Sequence, residues 1–226
     1  VSDSIEFRQD LKPLEIIQPE GPSFTVEGNL IKWQKWSFRY GFTPREGLVL
    51  YTVNYHDKGV DRPILYRGAL SEMVVPYGDA SFAHNTENAL DAGEYGMGQL
   101  ANSLELGCDC LGHIDYFDAV LADWEGNPRV IKNAICLHEE DFGIGWKHTD
   151  WRTNHVEVRR SRKLVISFFC TVGNYDYGFY WSFFQDGTIN VEVKLTGCLN
   201  TGTFDETGTS KYGSEIAPGL LAVHHQ

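Results

Sequence analysis

Residues 179–196 restrict the fold of this chain more tightly than any other stretch. Phe179–Phe184 is dense in aromatic residues, and Gln185-Asp186-Gly187-Thr188 follows. Ile189, Val191, Val193 and Leu195 then alternate with Asn190, Glu192, Lys194 and Thr196. Period 2 is the repeat of a strand with one apolar face; a helix would need a repeat near 3.6. Asp-Gly between two such runs is the chemistry of a tight antiparallel turn. The pattern predicts a hairpin with one face buried and the other wet.

The rest of the chain agrees with that reading. Residues 1–28, punctuated by Pro13, Pro19, Gly21 and Pro22, read as an irregular lead-in. Ile31–Gly41 is expected as one strand, Thr43-Pro44-Arg45-Glu46-Gly47 as a turn, and Leu48–Tyr55 as its partner strand. Ile64–Val75, His113–Ala122, Val130–His138 and Leu164–Val172 read as further strands. The stretch 77–112 is different. Glycines at 93, 96 and 98 each cost a helix about 1 kcal/mol against alanine, so a long loop is expected there. The sum is an all-β fold, a large antiparallel β-sandwich.

Composition excludes several classes. With 226 residues and 42% hydrophobic content the chain can bury a substantial core. A net charge of −12 argues against nucleic acid or an anionic membrane as partner. No run approaches the roughly 18 apolar residues of a spanning helix. The chain opens on Val1, so it is read as starting inside a longer polypeptide. Its 5 cysteines, Cys108, Cys110, Cys136, Cys170 and Cys198, cannot all pair within one chain. Cys108-Asp-Cys110 lacks zinc-finger spacing.

Three places could carry chemistry. In the first, Val75-Pro76-Tyr77-Gly78-Asp79 is followed by Ala89-Leu90-Asp91-Ala92-Gly93-Glu94-Tyr95-Gly96-Met97-Gly98. Asp91 among apolar residues is either a desolvated base with a raised pKa or part of a solvated turn. In the second, Thr171-Val172-Gly173-Asn174-Tyr175-Asp176-Tyr177 breaks an apolar strand pair. It reads either as a β-turn with Tyr175 in the core or as a site. The third is the terminal His224-His225-Gln226, either a metal-binding end or an exposed tail; adjacent histidines on a strand face opposite ways.

Together these residues resemble the copper-containing amine oxidases. Asn174-Tyr175-Asp176-Tyr177 is similar to the family's Asn-Tyr-Asp/Glu motif, whose Tyr becomes the quinone cofactor topaquinone. Leu90–Gly98 resembles the segment with the catalytic Asp. Ala217-Pro218-Gly219-Leu220 and His225-Gln226 resemble the approach to the copper-binding His-x-His pair. Lys132–Asp141 and Trp146–Asp150 also read like the family, and the likeness runs from about residue 25 to the C-terminus.

The resemblance implies a role for each matched position. Tyr175 is the topaquinone precursor, and Asn174 limits the orientation of its ring. Tyr77 hydrogen-bonds a quinone oxygen. Asp91 is the general base, and Ala89 sits where the substrate channel approaches it. His225 is the first of three histidines for copper(II). Cys110 and Cys136 form a disulfide, leaving Cys108, Cys170 and Cys198 free. The implied protein is a homodimer that oxidises primary amines with molecular oxygen, giving aldehyde, ammonia and hydrogen peroxide. The chain ends before a second copper-ligating histidine, so residues 29–226 are expected to be the N-terminal half of a catalytic domain, incomplete at the copper site. Compartment stays open between peroxisome and extracellular or periplasmic space. A different class also fits the composition: a carbohydrate-binding or glycoside-cleaving sandwich, with Trp33, Trp36, Trp124, Trp146, Trp151 and Trp181 as stacking platforms.

Overall fold

A computed structural model describes residues 8–79, 84–107, 109–204 and 212–223. The first sheet is an antiparallel meander of five neighbouring strands: Phe24–Glu27 (β1), Leu30–Trp33 (β2), Trp36–Thr43 (β3), Gly47–Asp57 (β4) and Val60–Gly68 (β5). Two short strands, Val74–Pro76 (β6) and Asn88–Leu90 (β7), pair apart from it. The second large sheet holds Ile114–Ala122 (β8), Pro128–Thr149 (β9), Val156–Val172 (β10), Tyr175–Phe184 (β11) and Ile189–Gly197 (β12), in the order β12-β11-β10-β9-β8. A small sheet of Thr201–Thr203 (β13), Gly213–Ala217 (β14) and Leu220–Val223 (β15) follows.

The two five-stranded sheets bury one core between them, so the expected antiparallel sandwich is present. Ile31, Trp33, Phe38 and Leu50 from the first sheet meet Leu137, Leu164, Ile166 and Phe183 from the second. Phe38 stacks on Phe183 with ring centroids 4.5 Å apart, and Trp36 meets the same ring edge-on at 5.2 Å. Rings offset or edge-to-face at such distances add to the area they bury.

Four sequence expectations need correction. Phe24–Glu27, inside the stretch read as irregular, forms β1 because it pairs with Leu30–Trp33. The single strand read over 31–41 is two strands, turned at Gln34 with φ 54° so that Trp33 faces Trp36. The strands read as Val130–His138 and Leu164–Val172 are longer, and their polar ends pair as a ribbon in which Lys163 faces Glu140 and Leu164 faces Glu139. The hairpin after Phe184 forms, but the expected buried face of β12 is exposed at Val191, Val193 and Leu195. Alternation marks which face is apolar without saying what covers it.

The lead-in is tied to the sandwich by one carboxylate. Glu139, 4% exposed, accepts hydrogen bonds from the Ser23 N–H, the Gln18 amide and the Trp33 indole, each at 2.8 Å. Burial pushes this carboxyl up, but those donors and the nearby Arg162 outweigh it and hold it below the usual range. The predicted Cys110–Cys136 disulfide is present. Cys170 and Cys198 are free, and Cys108 lies outside the described residues.

Candidate active site

The β6–β7 pair leads into a turn that fixes Asp91. Val75 faces Ala89 across the pair. Immediately after β7, Asp91–Tyr95 makes one turn of π-helix, closed by Gly96 at φ 78°. The Gly96 N–H reaches the Asp91 carbonyl at 3.0 Å, and the Asp91 N–H reaches the Met73 carbonyl at 2.9 Å. Positive φ suits glycine there. A Cβ at Gly98 would run into the Thr43 carbonyl, so close packing on the β3–β4 turn requires glycine at that point too.

Glu72, which sequence reasoning did not single out, anchors this turn. Its carboxylate accepts from the N–H groups of Met73 and Ala92 at 2.9 Å and of Gly93 at 3.0 Å. Those bonds hold the Glu72 carboxyl below its ordinary value. No spacing rule links residue 72 to residues 92 and 93; the link appears only when β6 and β7 pair.

The second half of the site comes from the β10–β11 hairpin. Val172 faces Tyr175 across a two-residue loop, Gly173-Asn174. Gly173 has φ 60°, as the first position of a type II′ turn requires. The segment is thus a tight turn, but Tyr175 is half-buried rather than part of the core, and its side chain lines a cleft. Tyr175 and Tyr177, two apart on the strand, lie on one face with rings stacked at 6.2 Å. Below the turn, Thr171 bonds Asp176 and Asn102.

These two halves meet around a cleft of about 220 Å³ lined by Tyr77, Ala89, Asp91, Asn174 and Tyr175, among others. All five residues predicted from sequence for catalysis and substrate approach are brought to one cavity. The Tyr175 and Tyr77 hydroxyls are hydrogen-bonded to each other. The Tyr177 hydroxyl donates to Asp91, which is 2% exposed. The Oδ2 atom of Asp91 is buried with no partner among the described residues, an arrangement that calls for a bound group or a proton.

Electrostatics follow from that burial. Desolvation pushes the Asp91 carboxyl above its ordinary value; Tyr177 pulls it back, and Glu72 and Glu94 push it further up. Desolvation, the hydrogen bond with Tyr77 and the negative field of Glu87 and Asp91 raise the Tyr175 phenol. The Cys170 thiol beneath is pushed up to about 12, by burial first and then by Asp91 and Asp176. Both phenol and thiol are therefore neutral near pH 7. A raised carboxyl beside neutral phenols is a poised proton acceptor.

A second cleft of about 230 Å³ shares Val75 and Tyr175 with the first and is lined by Met73, Tyr177, Leu195 and Leu199, among others. It is apolar where the first is polar. Among the described residues no histidine lines either cleft. His225 lies outside the described residues, and no copper ligand set can be assembled from those that are described. Cys110, Cys136 and His138 come within 4.8 Å of one another, but the two sulfurs are bonded together. Of the tryptophans named for the carbohydrate reading, Trp33 and Trp36 are buried in the core while Trp124, Trp146 and Trp151 are exposed, and none of the six lines the cleft that holds Asp91 and Tyr175.

The chain matches the copper amine oxidase, enzyme domain, over residues 25–226. It is 58% identical over 220 residues to a peroxisomal copper-containing diamine oxidase of Nicotiana tabacum, an alignment covering 97% of this chain and 28% of that protein. Identity to a histamine oxidase of Arthrobacter globiformis is 57% over 221 residues, covering 98% of this chain and 32% of that protein. A copper-containing benzylamine oxidase from Hansenula polymorpha has a similar fold, with TM-score 0.89 and 43% identity, covering 97% of this chain and 34% of that one. The chain thus spans about a third of the length of these relatives.

Proposed function

The chain belongs to the copper amine oxidase family, and from that premise we propose that the Tyr175–Asp91 cleft is the amine-oxidising site of the protein. The reaction is oxidative deamination of a primary amine by oxygen and water to aldehyde, ammonia and hydrogen peroxide. The observation that carries this reading is the unpartnered, buried Oδ2 of Asp91 in the same cavity as the Tyr175 phenol.

A quinone derived from Tyr175 would supply an electrophilic carbonyl and a two-electron sink. The residues around it fit such a group: Tyr77 is already the hydrogen-bond partner of the Tyr175 oxygen, and Asn174 lines the cleft beside it. Copper is the family's metal and imidazole ligands suit it; His225 is proposed as one of them.

Asp91 performs the proton chemistry. As an anion it attracts the incoming ammonium, and Oδ2 takes the proton from the substrate carbon next to nitrogen. Its raised pKa makes it a stronger base than an exposed carboxylate. Tyr177 holds the other side of the carboxylate, fixing which oxygen meets the substrate. Ala89, with only a methyl group, leaves the approach to Asp91 open. The apolar cleft that Tyr175 also lines supports access by a small uncharged co-substrate such as oxygen.

Residues 29–226 are proposed as the first part of the catalytic domain, and assembly as a homodimer belongs to the same reading. The β9–β10 ribbon exposes Phe142, Ile144, Trp146, Val156 and Val158, an apolar set that supports a subunit contact. Among the described residues no helix is long and apolar enough to cross a membrane.

The test is product stoichiometry with the full-length, copper-loaded protein and benzylamine. Equal yields of aldehyde and hydrogen peroxide, with matching oxygen uptake, are expected. No peroxide from any primary amine would overturn the reading.

A further inference from the structure

The cleft that holds Asp91 is lined by a second carboxylate, that of Glu87. Glu87, Ala89 and Asp91 alternate along β7 and its two flanking positions, and all three line the cavity. Period 2 places such residues on one face. Glu87 is held in register although it precedes the strand: its carbonyl accepts from the Tyr77 N–H at 3.3 Å, and its N–H donates to the His84 carbonyl at 3.0 Å. Four residues of extended chain separate the Cα atoms of Glu87 and Asp91 by roughly 13 Å.

The two carboxylates have opposite surroundings. Asp91 is buried, with one oxygen held by Tyr177 and the other unpartnered. Glu87 is exposed. Its negative field nonetheless reaches the phenols of both Tyr77 and Tyr175. Between them the wall is the Ala89 methyl group, with Val75 and Val172 also lining the cleft. No Lys or Arg is among the lining residues. The cleft therefore presents two carboxylates with the Ala89 methyl group between them along the chain, and none of its described lining residues is cationic.

A monoamine satisfies one end of that arrangement. A linear diamine, cationic at both ends with methylenes between, satisfies both. We propose that Glu87 is a specificity-determining residue that binds the distal ammonium of a diamine, so that diamines are preferred over monoamines of equal chain length. This rests on the reading that Asp91 receives the reacting amine carbon.

The test uses the full-length, copper-loaded enzyme with putrescine and n-butylamine, which share a carbon count and differ by one ammonium. Wild type should have the higher kcat/KM for putrescine, and added salt should shrink that advantage. In Glu87→Gln the putrescine to n-butylamine ratio should fall about fivefold, the scale of an exposed ion pair, mainly through KM for putrescine. Ala89→Phe should lower the same ratio by dividing the cleft. Calorimetric binding of putrescine to the copper-free precursor should weaken by a similar factor in Glu87→Gln, independently of turnover. An unchanged ratio and unchanged binding in Glu87→Gln, with n-butylamine still oxidised, would overturn the role of Glu87 and leave the amine oxidase reading standing. Oxidation of neither amine by wild type would overturn both.

Discussion

The Tyr177 hydroxyl donates to the Asp91 carboxylate, and the Oδ2 atom of that carboxylate is buried without a partner among the described residues. One residue comes from the middle of a strand and the other from a glycine-rich turn. Their contact sets both the orientation and the basicity of the proposed catalytic base, and it changes what substitutions at either position should do.

Asp91→Asn should slow reduction of the cofactor by substrate by about two to four orders of magnitude, because an amide cannot take the proton. The carboxamide is close in size, so the fold and the cofactor should survive. Stopped-flow reduction of the full-length enzyme by benzylamine measures the step directly. A rate near wild type would remove Asp91 from the role of base.

Tyr177→Phe is not a silent neighbour of the Tyr175 position. The Tyr177 hydrogen bond favours the charged carboxylate and lowers its pKa against the pull of burial. Removing the donor should raise the Asp91 pKa further. Activity needs the anion, so the acid limb of the kcat/KM profile should move to higher pH. An unmoved or lowered limb would show that the bond does not tune the base.

Glu139→Gln should destabilise the protein by about 1–3 kcal/mol, because the new amide N–H₂ faces donors that a carboxylate satisfied. The folded-state pKa of Glu139 is lowered, so its contribution is fully present above the ordinary Glu value. It is lost as pH falls through the folded value, below about 4.3. The stability gap between wild type and variant should therefore be widest at neutral pH and close in acid. Denaturant titrations at several pH values check this; a gap independent of pH would contradict it.

Removing the disulfide by Cys110→Ser with Cys136→Ser should cost roughly 3 kcal/mol in the chain-entropy picture, given a sequence separation of 26 between the bridged cysteines. Thermal unfolding of wild type should drop on adding a thiol reductant, and that of the double variant should not. A variant still sensitive to reductant would place the stabilising bridge elsewhere.

The architecture was legible where local chemistry acts alone. Asp186-Gly187 and the alternation after it mark a hairpin, and β11–β12 forms it. The long β9–β10 ribbon was not legible, because Glu139-Glu140-Asp141 looks like the end of a strand until the partner strand is known. In the fold, Lys163 bonds Glu140 at 2.9 Å and Arg160 grips Asp141 with two nitrogens. Cross-strand pairs of this kind are a property of register. The Gln34 turn was hidden because Trp33 and Trp36 both read as strand.

The site divides in the same way. Tyr77, Ala89, Asp91, Asn174 and Tyr175 were found through their likeness to family motifs, and the fold brings them to one cleft. Glu72, Glu87 and the Tyr177–Asp91 bond carry no motif. They depend on β6 pairing with β7 and on that pair reaching the β10–β11 turn, which no local pattern encodes.

The most direct test of the central claim is the chemical state of residue 175. The full-length protein should be loaded with copper in air, treated with phenylhydrazine, digested and analysed by mass spectrometry. The label should fall on the peptide containing Tyr175, and it should vanish together with amine turnover in Tyr175→Phe. An unmodified tyrosine at 175 in an enzyme that still oxidises amines, or a labelled and active Tyr175→Phe variant, would contradict the account.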